Sequence, residues 1–306
     1  MMNEKSRLKK ALLHPEWLVG VLMRHTPIGR WMNDRTFIKY EFFSGMRKFP
    51  DLENPKTYNE KLQWLKLNDI HMEYGRLVDK FEAKQVVNQI LGGDAYTIPT
   101  LGVWERFEEI DFDSLPEQFV LKTTHDSGSV IVVKSKREMD RRKVRAVIER
   151  SLKHSYFYEH REYPYKYVKP RILAEQYMVD ESGKELKDYK FFCFDGEPKM
   201  LFIATDRPSD TRFDFFDTNF NHLPFRQGHP WATKEIKKPG GFDAMLEVAR
   251  KLSKGYPHVR VDLYNIKGKI YFGELTFFHF SGNVPFEPAE WDYKIGTWLK
   301  LPGYDD

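Results

Sequence analysis

Apolar residues follow helical spacing through the first third of the chain and strand spacing through much of the remainder. Residues 1–60 carry helix-length apolar patterns, broken at Thr26-Pro27-Ile28-Gly29 by proline and glycine. Asn54-Pro55 marks a turn, and Thr57 followed by Glu60 reads as a capping box that opens a helix running through Leu67. Leu62, Trp64 and Leu65 give that helix one buried stripe. A second helix is expected from Glu73 to Ile90, closed by Gly92-Gly93. From Phe119 the period changes. Residues 119–124 and 130–134 are β-branched runs around a short polar loop, followed by a charged helix over 136–154. Strands are then expected over 171–178, 188–194, 199–204 and 213–216, separated by polar turns as in an antiparallel sheet. A helix over 242–254 precedes a final hairpin, 259–264 and 269–277, turned through Asn265-Ile266-Lys267-Gly268. Strands, helix and strands again argue for an α+β fold with two sheet-bearing subdomains behind a helical N-terminal region.

Composition narrows the class. With 41% hydrophobic and 15% aromatic residues, the 306-residue chain is too rich in apolar groups to be disordered. The strongly apolar stretch near the start, Trp17 to Met23, is far short of the ~20 residues a membrane span needs. The opening MMNEKSRLKKALLHPEW puts basic residues before apolar ones, yet His14, Pro15 and Glu16 interrupt it, so no signal peptide is read. Cys193, the sole cysteine, excludes an internal disulfide, and alternation in Phe191-Phe192-Cys193-Phe194 makes it a core residue. No histidine pair has His-x-x-x-His spacing, so zinc is not expected. The formal net charge of +4 is spread without a long basic run. That balance suits anionic small molecules or an acidic polymer, and no nucleic-acid partner is expected.

Three constellations carry candidate chemistry. Lys122 on a strand precedes Asp126-Ser127-Gly128-Ser129, a small turn whose backbone N–H groups can approach a phosphate beside a point charge. Arg260 and Asp262 share one face of a strand, and the hairpin folds Glu274 back towards Asp262. Two such carboxylates can hold Mg²⁺ on nucleotide phosphates, or they can simply pair with Arg260 across the strands. Glu175-Gln176-Tyr177-Met178 ends a strand, where Glu175 is either a solvated carboxylate or part of a nucleotide hinge.

Taken in order, NPKTYNEKLQWLKL, LVDK, LPEQFVLKTTHDSGSVIVV, ILAEQYM, KDYKFFCFDGEPK and HVRVDLYNIKGKIYFGELTFFHFSG resemble the ATP-grasp superfamily, and within it the TupA-like group named for teichuronopeptide biosynthesis. The resemblance runs from Asn54 to Asp306. It implies a helical region over 1–70, a short pre-grasp segment over 71–118, a small ATP-grasp subdomain with a mobile loop over 119–178, and a C-terminal subdomain with the metal site over 179–306. The implied cofactors are ATP and Mg²⁺. By the same resemblance Lys80 and Lys122 match phosphate-binding lysines, with Ser127, Gly128 and Ser129 in the gripping loop. Glu175, Gln176, Tyr177 and Met178 match the adenine hinge, Lys190 a further phosphate contact, Asp262 and Glu274 the metal carboxylates, and Arg260 the arginine at the transferring phosphoryl group. Where the superfamily often has asparagine two residues after the second carboxylate, this chain has Thr276, which leaves a second metal site open. Lys190 can alternatively pair with Asp188 or Glu185.

Substrate contacts are sought in three places. The loop from His160 to Lys166 gathers aromatics and cations suited to an acidic sugar, Arg161 and Lys166 among them. Arg207, Arg212, His229 and Trp231 lie near other loops, and His279, Ser281 and Gly282 follow the metal strand. The resulting expectation is an ATP- and Mg²⁺-dependent carboxylate–amine ligase. It would form an acyl phosphate on a uronic acid or amino-sugar unit of a surface polysaccharide and pass it to an amine donor. Group members occur with capsule genes and are often labelled glycosyltransferases. The alternatives are a sugar kinase, a glycosyltransferase resting on Asp111-Phe112-Asp113, or a binding module presenting Trp17, Leu18, Val21, Leu22 and Trp31. The expected compartment is the cytoplasm, with peripheral association at the inner membrane face if the chain serves membrane-bound polysaccharide machinery.

Overall fold

The punctuation residues of the first third also mark its helices in the folded chain. A computed structural model describes residues 15–304 except 182, 184–185 and 207–209; most of the basic N-terminal segment, Arg207 and Glu185 lie outside the described residues. Helix α1 (Pro15–His25) leads to α2 (Pro27–Trp31), which starts on the proline of the expected break. Helix α3 (Asp34–Met46) is capped by Asn33, whose side chain accepts from the Thr36 N–H at 2.9 Å. Helix α4 (Tyr58–Asn68) carries the expected capping box, with Glu60 N–H donating to Thr57 Oγ1 at 3.2 Å and Thr57 N–H to the Glu60 carboxylate at 3.1 Å.

The helix expected over 73–90 is instead two, α5 (Tyr74–Val78) and α6 (Glu82–Leu91). The Asp79 carboxylate accepts from the N–H groups of Phe81 and Glu82 at 2.8 and 2.9 Å, which starts a new helix. Lys80 sits in the gap, and its own N–H donates to Thr124 O at 3.1 Å.

Strands β1 (Thr100–Trp104), β2 (Phe119–Thr123) and β3 (Ile131–Val133), helices α7 (Arg141–Leu152) and α8 (Phe157–His160), and strand β4 (Ile172–Gln176) follow. They make a four-stranded antiparallel sheet in the order β1-β4-β2-β3. Strand β1 was not expected, and it draws part of the 71–118 segment into this small sheet through its pairing with β4. Strands β5 (Asp188–Phe194), β6 (Glu197–Thr205) and β7 (Arg212–Asp217) come next, then β8 (Arg226–Gln227), helix α9 (Phe242–Ser253), β9 (His258–Ile266) and β10 (Lys269–Thr276). The large sheet is antiparallel in the order β10-β9-β5-β6-β7, and β11 (Phe286–Glu287) pairs with β8 before α10 (Glu290–Gly296).

Each sheet has its own apolar backing. Phe119, Leu121, Ile172 and Ala174 pack against Val144 and Ile148 of α7, leaving Val120 and Lys122 on the other face of β2. Phe242, Met245, Ala249 and Leu252 of α9 cover the face of the large sheet that carries Phe191, Cys193, Val261 and Leu263. Each fully buried side chain of this size contributes roughly 1.5–3 kcal/mol. Helix α4 buries polar residues as well as Leu62 and Leu65. Lys61 Nζ donates to Leu299 O at 2.8 Å, Gln63 Nε2 to Ser281 O and Gly282 O at 2.8 and 3.0 Å, and Lys66 Nζ to Ser281 O and Oγ at 2.9 and 2.8 Å. These bonds hold the turn that follows β10. Gly282 there has φ +65°, and a Cβ on it would stand 2.4 Å from Gln63 Nε2. No described helix is long and apolar enough to cross a membrane.

Candidate functional site

Antiparallel register gathers the charged residues of the large sheet. Glu274 of β10 lies opposite Asp262 of β9, which lies opposite Lys190 of β5. Opposed residues share a face, so the three form one row. The row depends on a bulge, because pairing shifts by one residue between Phe272 and Glu274. Gly273 occupies the shift, where a Cβ would stand 3.0 Å from Asp262 O.

Within the row Arg260 donates from Nε and Nη2 to the two Asp262 oxygens, each at 2.7 Å, and from Nη2 to Glu274 Oε1 at 3.1 Å and Thr276 Oγ1 at 3.0 Å. Lys190 Nζ bonds Asp188 at 2.7 Å and also Asp262. Both pairings weighed as alternatives to metal or phosphate binding are therefore present: Arg260 with the carboxylates, and Lys190 with Asp188. Arg260 Nη1 donates to His279 Nδ1 at 2.8 Å, which fixes the other tautomer, and Nε2–H meets Gln227 Oε1 at 2.9 Å. Burial and the Arg260 charge keep His279 neutral, well below its usual value. Burial works against Lys190, but Asp188 and Asp262 outweigh it and hold the ammonium above its ordinary range. Burial raises Asp262 to about 6 against the pull of Arg260 and Lys190. Glu274 has a 43% exposed side chain; its partial burial opposes ionisation, but Lys190, Arg260 and Lys80 prevail and lower it.

The small sheet presents a second set. Glu175 lies opposite Val120, so it shares the face of Lys122. It is buried, not solvated, and its two oxygens pair with Lys122 and with Lys84 of α6. Lys84 Nζ also donates to Ile98 O at 2.7 Å and Thr100 Oγ1 at 3.1 Å. Lys80 Nζ donates to Asp126 O. Burial lowers Lys80, while Glu274 and Asp126 pull it back up, so this lysine feels both sets. Thr97, just before β1, bridges to Phe272, which ties the small sheet to β10.

The loop residues divide. Ser127 and Gly128 are exposed at the tip, whereas Ser129 Oγ is taken up by Asp126 Oδ1 and Thr123 Oγ1, both at 2.6 Å. Gln176 is exposed and bonds through its N–H to Pro99 O at 3.0 Å; Tyr177 and Met178 are half-buried. Ser281 and Gly282 sit in the buried turn, where Phe280 and Ser281 have φ of 47° and 55°. Backbone of that kind costs of order 1–3 kcal/mol per residue and is held here by Gln63 and Lys66.

The remaining substrate candidates lie apart from both sets. Arg161 is 1% exposed, pairs with Asp34 at 2.8 Å and stacks on Phe37 at 4.2 Å, so it ties α8 to α3. Lys166 is exposed over Phe157 and Tyr163, and Arg212 bonds Asp210 and Trp231 O on β7, at the edge of the sheet. Sequence reasoning missed Lys84, although its i+4 spacing from Lys80 was a readable signal. It also missed Gln227, for which no local signal exists because its partner is 52 residues away. A cavity of about 520 Å³ lined by Tyr189, Thr205, Lys234, Lys237 and Asn265 opens on the opposite face and shares no residue with either set.

The profile of the family described as TupA-like ATP-grasp matches residues 60–300. The chain belongs to the TupA-like ATP-grasp family. Its two antiparallel sheets and flanking helices give it the α+β fold of that family. No curated protein matches it. Among solved structures, an L-amino acid ligase from Bacillus licheniformis aligns at 14% identity and TM-score 0.43, covering 97% of this chain and 66% of that one. A D-alanine–D-alanine ligase from Bacillus anthracis complexed with ATP aligns at 14% identity and TM-score 0.38, covering 66% and 53%. The ATP-grasp ligase PsnB with a minimal precursor, Mg and ADP aligns at 13% and 0.36, covering 79% and 62%. The TupA-like chain thus spans about half to two thirds of the length of these structures. Its donor set fits Mg²⁺: Asp262, Glu274 and Thr276 offer hard oxygen donors, and the Lys190 ammonium already lies where a cation bridges Asp188 and Asp262.

Proposed function

We propose that this TupA-like ATP-grasp protein is an ATP- and Mg²⁺-dependent carboxylate–amine ligase that modifies a uronic acid or amino-sugar unit of a surface polysaccharide. The observation that carries the reading is the pairing of two charge sets: lysines on and beside the small sheet, and a carboxylate-rich row on the large one, with the bridge from Thr97 to Phe272 between them. Phosphoryl transfer needs charge neutralisation and alignment more than a covalent protein group, and a concentration of cations beside carboxylates supports that reading.

In the proposed cycle a substrate carboxylate oxygen attacks the γ-phosphorus of ATP, the bond to the β–γ bridging oxygen breaks, and ADP leaves. An amine nitrogen then attacks the acyl carbon, phosphate departs, and the nitrogen loses its proton to phosphate or solvent. Lys80 and Lys122 hold phosphate oxygens, with Ser127 and Gly128 closing over them. Glu175 to Met178 receives the adenine, which requires Lys122 to move from Glu175 to phosphate. Lys190 and Arg260 turn to the transferring group. Asp262 and Glu274 would hold Mg²⁺, which neutralises charge on the phosphates when bound. Cytoplasmic action beside membrane-bound polysaccharide machinery belongs to the same proposal.

The test is a hydroxylamine-coupled assay with ATP, Mg²⁺ and a panel of uronic acids. A hydroxamate, lost in Asp262→Asn, is the expected result. ADP release with no hydroxamate and a stable sugar phosphate would replace the ligase with a kinase.

A further inference from the structure

The helices ahead of the matched family residues wall a second cavity, of about 550 Å³, whose other wall is the turn after β10. Trp17 and Arg24 of α1 and Arg47 at the end of α3 face His160, Phe280 and Asn283 across it. The volume lies within the roughly 300–1,000 Å³ of ligand pockets. Its lining combines two aromatic faces, three nitrogen cations or donors, and an amide, with Glu16 as the carboxylate among them. Arg47 pairs with Glu16 at 2.9 Å, while Arg24 and His160 both reach Glu41, at 3.5 and 2.5 Å. Glu41 is buried behind the lining, so the polar groups that line the cavity include two guanidiniums, an imidazole and an amide beside the single carboxylate of Glu16.

The cavity is joined to the reacting groups through the chain. Phe280 follows His279, which accepts from Arg260, and Ser281 is gripped by Lys66. Aromatic faces suit sugar rings, and guanidinium groups suit carboxylates.

We infer that this cavity is a specificity subsite for an anionic, carboxylate-bearing sugar unit next to the one that reacts. The inference rests on the ligase reading and sharpens it: the acceptor is an oligosaccharide carrying neighbouring acidic units, not a single sugar. The N-terminal helices then select the polymer, while the two sheets perform the chemistry.

The experiment is calorimetric titration of the full chain with trigalacturonate and with neutral maltotriose, alongside a non-hydrolysable ATP analogue. The acidic trisaccharide is expected to bind at least tenfold more tightly than the neutral one. Trp17→Ala and Arg24→Gln should each lower its affinity at least tenfold, while Trp17→Phe, which keeps an aromatic face, stays within threefold of wild type. Val284→Trp fills the cavity without removing a charge and should block the trisaccharide too. In every variant the ATP analogue should bind as in wild type, which reports on folding. Equal binding of acidic and neutral trisaccharides, or undiminished binding by Trp17→Ala and Val284→Trp, overturns the subsite. Those results with nucleotide binding intact would leave the ligase reading standing. Absent nucleotide binding in a chain that still selects trigalacturonate would overturn the ligase reading instead.

Discussion

The two sheets hold charge of opposite balance. On and around the small sheet Lys80, Lys84 and Lys122 outnumber Glu175 and Asp126; on the large one Asp188, Asp262 and Glu274 outnumber Lys190 and Arg260. A surplus of ammonium groups favours a polyphosphate, and a surplus of carboxylates favours a divalent cation. In the proposed ligase this difference would let one nucleotide be gripped from two sides, Mg²⁺-ATP offering anionic phosphates to the lysines and a cation to the carboxylates. In the folded chain these residues satisfy each other in pairs, which is what buried charges require.

The largest expected effect comes from breaking the large-sheet row. Asp262→Asn keeps the shape but leaves Arg260 and Lys190 buried with a neutral neighbour, at a cost of about 3–5 kcal/mol by analogy with other broken buried pairs. Urea unfolding measures that loss, and nucleotide turnover should fall at least a hundredfold in the same variant. Unchanged stability would mean that Arg260 finds enough support from Glu274, Thr276 and His279 alone.

Glu175→Gln is the matching break on the small sheet, and pH sharpens it. Burial raises Glu175, but Lys122 and Lys84 outweigh it, so the folded carboxylate titrates below its ordinary value. Its contribution is thus fully present above the unfolded value of about 4.3 and is lost as pH falls through the lower folded value. Wild type should lose stability between about pH 4.5 and the folded value in acid titration, and Glu175→Gln should lose less over that window. At neutral pH the variant leaves two lysines facing a neutral amide and should be about 2–3 kcal/mol less stable. An acid limb identical to wild type would show that another carboxylate governs this range.

The contrast between the sheets also explains what the sequence revealed. The approach of Glu274 to Asp262 was readable because alternation fixes a face and a short hairpin fixes a partner, whereas the place of Lys190 opposite Asp262 was not, since β5 and β9 lie far apart in the chain. The bulge at Gly273 was not, although the pairing of Glu274 with Asp262 depends on it. On the small sheet, Lys122 and Glu175 were visible as strand residues, but their mutual pairing arises from β2 and β4, separated by two helices. The single helix expected over 73–90 failed because Leu77 and Val78 continue the apolar pattern across Asp79, whose capping bonds restart the chain at Lys80. Arg161 looked like a sugar contact by composition; its burial against Asp34 and Phe37 depends on helices more than a hundred residues away.

Gly273→Ala tests the bulge with a smaller change. The added methyl group meets Asp262 O at 3.0 Å and the Tyr264 ring at 3.2 Å, so β10 must give by a few tenths of an ångström. Overpacking of this size costs about 1–3 kcal/mol. The specific expectation is a rise in the Mg²⁺ concentration needed for half-maximal nucleotide binding, with metal-free nucleotide binding by the small sheet unchanged. Equal weakening of both would show that the bulge supports the fold and not the alignment of Glu274 with Asp262.

The smallest expected effect is at Thr276, where the chain departs from the asparagine frequent in the superfamily. Thr276 Oγ1 accepts from Arg260 Nη2 at 3.0 Å and can donate to Glu274 Oε1 at 3.4 Å. Arg260 has three other acceptors in Asp262, Glu274 and His279, so Thr276→Ala removes one bond of several and should cost about 0.5–1.5 kcal/mol. Thr276→Asn keeps an oxygen acceptor for Arg260 and adds reach towards the cleft. If the threonine limits the chain to one cation, Thr276→Asn should raise the Mg²⁺ stoichiometry of nucleotide binding, read by titration, while Thr276→Ala leaves it unchanged. A stoichiometry that stays constant in both would assign the hydroxyl to Arg260 alone, and the cation count to the carboxylates.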